Sequence, residues 1–244
     1  MKGYEEDLAF IHEAGFSDFA TGAAPGLLAA LRRRGLRSGL VVDLGCGPGH
    51  WAAALLGAGY EVLGVDRSPA MIRLAKRRAP DGRFLVRSLW DLDLPPCAAV
   101  TAIGECLNYR FDSAGGGEAL PALFARIHGG LRPGGLFLFD VAEPERVPDA
   151  LPRRHGAEGE GWAVLVEVTG SRRRRTLTRR IVAFRRKGNR WRRSEELHEL
   201  RLYPRAEVAR ALGRAGFEVR VLPRYGRRRL LPGTVAFEAR KPKA

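Results

Sequence analysis

From about Gly39 onward, short apolar runs alternate with helix-length segments, the pattern of a parallel sheet covered by helices. Residues 40–44, 60–65, 83–87, 98–103 and 136–141 read as strands, and 50–56, 69–78 and 118–131 as the helices between them. Leu136-Phe137-Leu138-Phe139 is apolar at successive positions, which fits a strand buried on both faces. Pro95-Pro96, Gly115-Gly116-Gly117 and Pro133-Gly134-Gly135 mark loops.

After residue 150 the rhythm changes. Segments 162–168, 176–186 and 191–203 read as successive strands, and Gly188-Asn189 supplies a hairpin turn between the last two. That turn brings Glu195, Glu196 and Glu199 opposite or diagonal to Arg179 and Arg180, where cross-strand ion pairs form. Pro204 opens a helix running to 215, and 217–222 and 234–240 close the chain as strands. The expected organisation is an N-terminal helical cap segment (1–38), an α/β core (39–150), an antiparallel β-insertion (151–203) and a closing helix with two core strands (204–244).

A chain of 244 residues with 45% apolar content can bury a sizeable core. No run approaches the roughly 18 apolar residues of a membrane span. Acidic residues follow Met1 where a signal peptide would be apolar, so the expectation is a soluble, cytoplasmic protein. Cys46, Cys97 and Cys106 have neither disulfide-framework nor zinc-ligand spacing, and no metal is expected. The net charge of +15 is localised. Residues 151–244 hold 26 Lys and Arg against 9 Asp and Glu, whereas residues 1–150 hold 16 against 18. Between Gly170 and Arg193 stand 12 basic residues and no acid. Such an excess either attracts a polyanion or an anionic substrate, or is a solvated face in a chain that uses 37 Arg and 5 Lys.

The candidate chemistry begins at Val41-Val42-Asp43-Leu44-Gly45-Cys46-Gly47-Pro48-Gly49, which runs into a helix. Alternating glycines let the backbone turn sharply and approach a ligand, and the helix start presents free N–H groups. A second strand ends at Asp66, where a carboxylate can accept from both hydroxyls of a ribose. The fingerprint for NAD wants glycine at the first, third and sixth positions; here the sixth is His50. Asp43, just before the glycines, also suits an ammonium group better than a phosphate.

With Asp43-x-Gly45-x-Gly47-x-Gly49, Asp66 and Leu131-Arg132-Pro133-Gly134-Gly135-Leu136 in this order, the chain resembles the class I S-adenosylmethionine (SAM) dependent methyltransferase family. Segments 8–12 with Gly15-Phe16, and 102–109, resemble a little-characterised bacterial subgroup, and the insertion is similar to that of small-molecule N-methyltransferases. The resemblance implies a Rossmann-like fold with a mostly parallel seven-stranded sheet, helices on both faces and an antiparallel insertion after the fifth strand. It implies SAM as cofactor, held by Asp43, Gly45, Cys46, Gly47, Gly49, Asp66, Arg67 and Gly104. Ser88 falls where the family places an acid for the adenine amino group, with Asp91 as the alternative, and Leu89 falls at the N–H donor. Met71 either packs on the adenine or belongs to the core, and Cys46 reads as a small buried filler.

Methyl transfer from a sulfonium chiefly needs a collinear nucleophile and a dry site. Glu105, Asn108 and Tyr109, after the fourth strand, are the expected substrate-orienting residues, with Glu105 a candidate base or ammonium partner. Asn108 and Tyr109 read alternatively as loop ties. His12 caps the pocket or is structural, His198 reads as an exposed pairing residue, and Tyr225 faces the pocket or does not. The favoured reading is a small-molecule methyltransferase with the N-terminal segment and insertion as a lid. An RNA methyltransferase gripping phosphates through residues 172–193 is the alternative, although only Phe184 and Trp191 are there to stack bases. A SAM-binding interaction module without catalysis is the third reading.

Overall fold

The computed structural model describes residues 3–111, 119–150 and 152–243. Two helices, α1 (Glu6–Gly15) and α2 (Asp18–Arg33), precede the alternating series β1 (Leu40–Leu44), α3 (His50–Gly57), β2 (Glu61–Asp66), α4 (Pro69–Arg78), β3 (Arg83–Val86) and β4 (Cys97–Ala102). Helix α5 (Ala119–Gly130) leads into β5 (Leu131–Ala142). Four strands follow: β6 (Arg153–Gly159), β7 (Trp162–Ser171), β8 (Thr176–Lys187) and β9 (Arg190–Arg201). Helix α6 (Arg205–Arg214), β10 (Glu218–Leu222), the short pair β11 (Arg224–Tyr225) and β12 (Arg228–Arg229), and β13 (Thr234–Arg240) complete the chain.

The main sheet has the order β10-β13-β5-β4-β1-β2-β3 and is parallel except for β13. Strand period decides its two cores. Val42, Phe137 and Phe139 point to the face covered by α5 and α6, while Val41, Leu136 and Leu138 point to the face covered by α2, α3 and α4. Phe137, Phe139 and Phe237 stack with centroids 4.3 and 5.0 Å apart. Each such fully buried side chain contributes roughly 1.5–3 kcal/mol. Chain order reverses between β1 and β4, so the crevice outside their C-terminal ends is where a ligand fits. No helix among the described residues is long and apolar enough to cross a membrane.

The insertion is a four-stranded antiparallel sheet, one strand more than the sequence pattern announces. Every residue of β6 is exposed, so it has no apolar alternation to reveal it. Strand β5 starts at Leu131 rather than 136; the Pro133-Gly134-Gly135 segment stays within the paired run, where a register shift between Cys97 and Ala99 takes up the irregularity. The inner face of the insertion packs Trp162, Val164, Ile181 and Ala183 on Leu8 and Ile11 of α1. The buried Asp7 of α1 pairs with Arg185 (3.6 Å) and Arg192 (2.6 Å), and Arg185 lies 3.8 Å over the Phe10 ring. Of the expected cross-strand pairs, Arg180–Glu195 forms at 2.6 Å. Register puts Arg179 opposite His198, and Glu196 accepts instead from the backbone of Tyr4 and Glu5.

Asn108 ties these parts together. Its Nδ2 donates to the carbonyls of Ala142 (3.0 Å) and Arg201 (2.6 Å), and its Oδ1 accepts from Ala142 N–H (2.9 Å), with Asn108 and Ala142 fully buried. Asn108→Ala removes all three hydrogen bonds, although the Ala142 carbonyl keeps its bond from Tyr203 N–H (3.0 Å), and is expected to lower stability by about 2–3 kcal/mol. A fall in the urea midpoint at unchanged m value is the measurement; an unchanged midpoint refutes the role.

Candidate active site

The turn after β1 is built by Gly45, Gly47 and Gly49, with φ of 73°, 52° and 81°. At Gly45 a Cβ would lie 2.6 Å from Cys106 Sγ, so the turn is closed behind; at Gly47 it would meet nothing within 4 Å, so that residue fronts open space. The main chain of Gly47 donates to Asp66 Oδ2 (3.0 Å) and that of Ser68 to Oδ1 (2.8 Å). Ser68 caps α4 by accepting from Met71 N–H (3.1 Å) and donates its own hydroxyl to the Tyr4 carbonyl (2.5 Å). Burial pushes the Asp66 carboxyl up to about 6 against the pull of those two N–H groups. Asp43, which accepts from Thr101 Oγ1 (2.7 Å), is pushed up to about 7, chiefly by burial.

These groups lie at one end of a cleft of about 1020 Å³ including its mouth. Gly45, Cys46, Gly47, Asp66, Arg67, Met71, Ser88, Leu89 and Gly104 all line it, so the structure gathers nine of the expected cofactor residues. Asp43 and Gly49 do not line it: Asp43 is buried with Thr101, and Gly49 packs against Ala75. Ser88 Oγ accepts from Trp90 N–H (3.2 Å), and Asp91 is exposed away from the lining. The cleft fits a nucleoside. A half-buried carboxylate, Asp66, keeps unused lone pairs beside an open glycine turn, and Val65, Met71, Leu89 and Ile103 offer apolar walls to a planar ring.

A second group of lining residues is aromatic. Tyr4, His12, Phe19, Tyr109 and Phe111 enclose the cleft, with the Tyr4 and Tyr109 hydroxyls 3.0 Å apart and the Tyr109 and Phe111 rings stacked at 4.8 Å. His12 lines the cleft with Nδ1 unpartnered among the described residues, and burial holds the imidazole down to about 4. Tyr4, Phe19 and Phe111 were absent from the sequence reading; nothing in local periodicity sets them apart from other aromatics.

Glu105 and Asn108, expected to orient substrate, are placed outside the cleft lining. Positive φ at Gly104 (93°) and Glu105 (62°) turns the Glu105 side chain toward the insertion. There it accepts from Arg146 Nε (2.9 Å), Arg179 Nη2 (2.7 Å) and Thr234 Oγ1 (3.3 Å). Although burial opposes ionisation, the two arginines keep its carboxyl below the usual range, so it is a fixed anion and not a proton acceptor. Arg179 also donates to the Tyr109 hydroxyl (3.2 Å). His198 is fully buried, contrary to the exposed pairing role, because its strand face packs on Tyr4 and Phe111; Nε2 meets Glu196 at 2.8 Å. Tyr225 faces away from the cleft and donates to Asp140 Oδ2 (3.0 Å).

Residues 41–135 match the family model described as "Methyltransferase domain". The chain is 31% identical over 156 residues to a trans-aconitate 2-methyltransferase of Methylobacterium radiotolerans, covering 62% of this chain and 55% of that protein. It is 27% identical over 219 residues to a dTDP-3-amino-3,6-dideoxy-alpha-D-glucopyranose N,N-dimethyltransferase of Streptomyces fradiae, covering 87% and 83%. The crystal structure of an S-adenosylmethionine-dependent methyltransferase from Clostridium acetobutylicum superimposes with a TM-score of 0.81 over 96% of this chain and 97% of that one, at 18% identity, which shows a shared fold. The chain spans about half the length of the first curated relatives it matches. The family match over residues 41–135, the sheet order and the glycine turn agree with one another: this stretch is similar to methyltransferase domains in sequence, and the chain shares the fold of the Clostridium acetobutylicum enzyme.

Asp66, Asp43 and Asp140 all carry raised carboxyls. A raised folded-state value means stability is fully present below the unfolded value and is lost as pH rises through the folded one, here between about pH 4 and 7. Asp66→Asn removes one such group. Its melting temperature relative to the native chain is expected to climb between about pH 4 and 7, by the equivalent of about 2 kcal/mol. A pH-independent difference overturns the assignment.

Proposed function

We propose that this protein transfers the methyl group of SAM to a small-molecule acceptor. The observation that carries the reading is a single cleft with two unlike ends: a ribose-competent carboxylate on a glycine turn, and an aromatic enclosure roofed by the N-terminal segment. Asp66 accepts from the ribose hydroxyls with the lone pairs that Gly47 and Ser68 leave free. Met71 and Leu89 flank the base, Ser88 stands beside it without charge, and the amino-acid tail passes Gly45 and Gly47. When bound, the cofactor supplies a methyl group already activated on a sulfonium.

The remaining work belongs to the chain. Tyr4, His12, Phe19, Tyr109 and Phe111 exclude water and hold the acceptor in line, a positioning effect that can contribute about 7–11 kcal/mol. Arg179, anchored by Glu105, fixes the Tyr109 hydroxyl from behind. Among the described residues no ionised base stands in the aromatic enclosure, and none is needed when the nucleophile arrives with a free lone pair.

A small acceptor is favoured over RNA by how the arginines of the insertion are engaged. Arg172, Arg175, Arg179, Arg180, Arg185, Arg192 and Arg193 each face a carboxylate, which removes much of the charge a phosphate clamp would use. The small molecules named for two of the relatives support the same choice.

Calorimetry with SAM is expected to give saturable binding, weakened about tenfold or more by Asp66→Ala, in keeping with the loss of charge-assisted hydrogen bonds. Equal affinity in the variant refutes the cleft assignment. With radiolabelled SAM, label is expected in a fraction of small amines or hydroxy compounds. Label appearing instead in bulk tRNA, with a yield that falls steeply as salt rises, would overturn the choice of acceptor.

A further inference from the structure

A second recess, of about 1200 Å³ including its mouth, lies between the start of α5, the end of β9 and α6, and shares no lining residue with the cleft. Its walls carry Arg175, Arg201, Arg210, Arg214, Glu207 and Tyr203. Arg175 is engaged, its Nη1 donating to both Glu207 oxygens at 2.8 and 2.7 Å. Arg201, Arg210 and Arg214 face no carboxylate among the described residues. Arg210 and Arg214 stand one helical turn apart, a repulsive spacing for like charges, and the acid on their helix, Glu207, is taken up by Arg175.

Tyr203 provides an independent sign. It is 5% exposed, and its hydroxyl is buried without a partner among the described residues. A buried phenol normally finds one. Burial pushes this hydroxyl up to about 12, while Arg201 and Arg110 pull against it, so guanidinium groups stand close by. The remaining lining (Leu120, Pro121, Val208 and Ala211) is apolar.

We propose that this recess binds the phosphate of a small organophosphate, its oxygens taken by Arg201, Arg210 and Arg214 and its carbon body resting on Leu120, Pro121, Val208 and Ala211. Guanidinium donors in a concave, partly apolar setting suit a phosphate ester. A single-stranded nucleic acid would want aromatic platforms, and Tyr203, the one aromatic of the lining, is buried.

The test is calorimetry on the full chain with phenyl phosphate, inorganic phosphate and phenol, with S-adenosylhomocysteine present to occupy the cleft. Phenyl phosphate is expected to bind at one site, more tightly than inorganic phosphate, while phenol gives no saturable heat. The combined variant Arg201→Gln, Arg210→Gln, Arg214→Gln is expected to weaken phenyl phosphate at least tenfold with S-adenosylhomocysteine binding retained. Arg173→Gln with Arg174→Gln, on an exposed turn, leaves it unchanged. If the triple variant does not fold, Arg214→Gln alone, exposed on α6, is expected to weaken binding about threefold. Absence of saturable binding, equal affinity in the variants, or displacement of phenyl phosphate by a short single-stranded oligonucleotide with a steeper salt dependence overturns the proposal.

Discussion

A carboxylate held in a nearly dry crevice is the constraint from which the rest of this molecule follows. Asp66 is kept there by two main-chain donors, one from the glycine turn after β1 and one from the start of α4. Both donors belong to elements whose positions the sheet fixes, since β1 and β2 pair along their whole length in parallel register. Desolvating a carboxyl is costly, and a protein that retains one in an open cleft supports it with backbone that cannot swing away. The same cost recurs at Asp43 and Asp140, which makes the rim of the sheet a region that gives up stability at neutral pH.

The second organising element is the arginine–carboxylate network that fastens the insertion and α1 to the core. Asp7 joins α1 to β8 and β9, and Glu105 joins the loop after β4 to Arg146 beyond β5 and Arg179 in β8. Pairs of this kind, buried on one side, add specificity of placement more surely than net stability. Much of the positive charge that stands out in the sequence is therefore internal mortar. Arg201, Arg210 and Arg214, at the second recess, are among the cations left outside that network.

The glycine turn, Asp66 and the alternating core strands were legible from sequence because their signals are local: spacing, apolar runs and a carboxylate at a strand end. The acceptor side was not, because its residues are defined by partners far along the chain. Glu105 looks like a pocket acid until Arg179, 74 residues later, is seen to hold it. Asn108 looks like a substrate ligand until the ends of β5 and β9 converge on it. On β9 the apolar pattern misleads outright, since Leu197 is 43% exposed while its polar neighbour His198 is sealed. The strand takes its facing from the hairpin register with β8, and register outranks hydrophobicity when a histidine finds a carboxylate inside.

Because the nucleoside end rests on backbone of the sheet and the aromatic end on α1 and the insertion, the two can diverge separately. Side chains such as Phe19 and Phe111 can be exchanged to accept a different partner while the grip on the donor is left alone. Tyr4 is the exception. Its carbonyl takes the Ser68 hydroxyl next to Asp66, its hydroxyl meets Tyr109, and its backbone is held at a φ of 54°. A replacement there is felt at both ends at once, making it the one position on this roof where retuning selectivity cannot be uncoupled from donor capture.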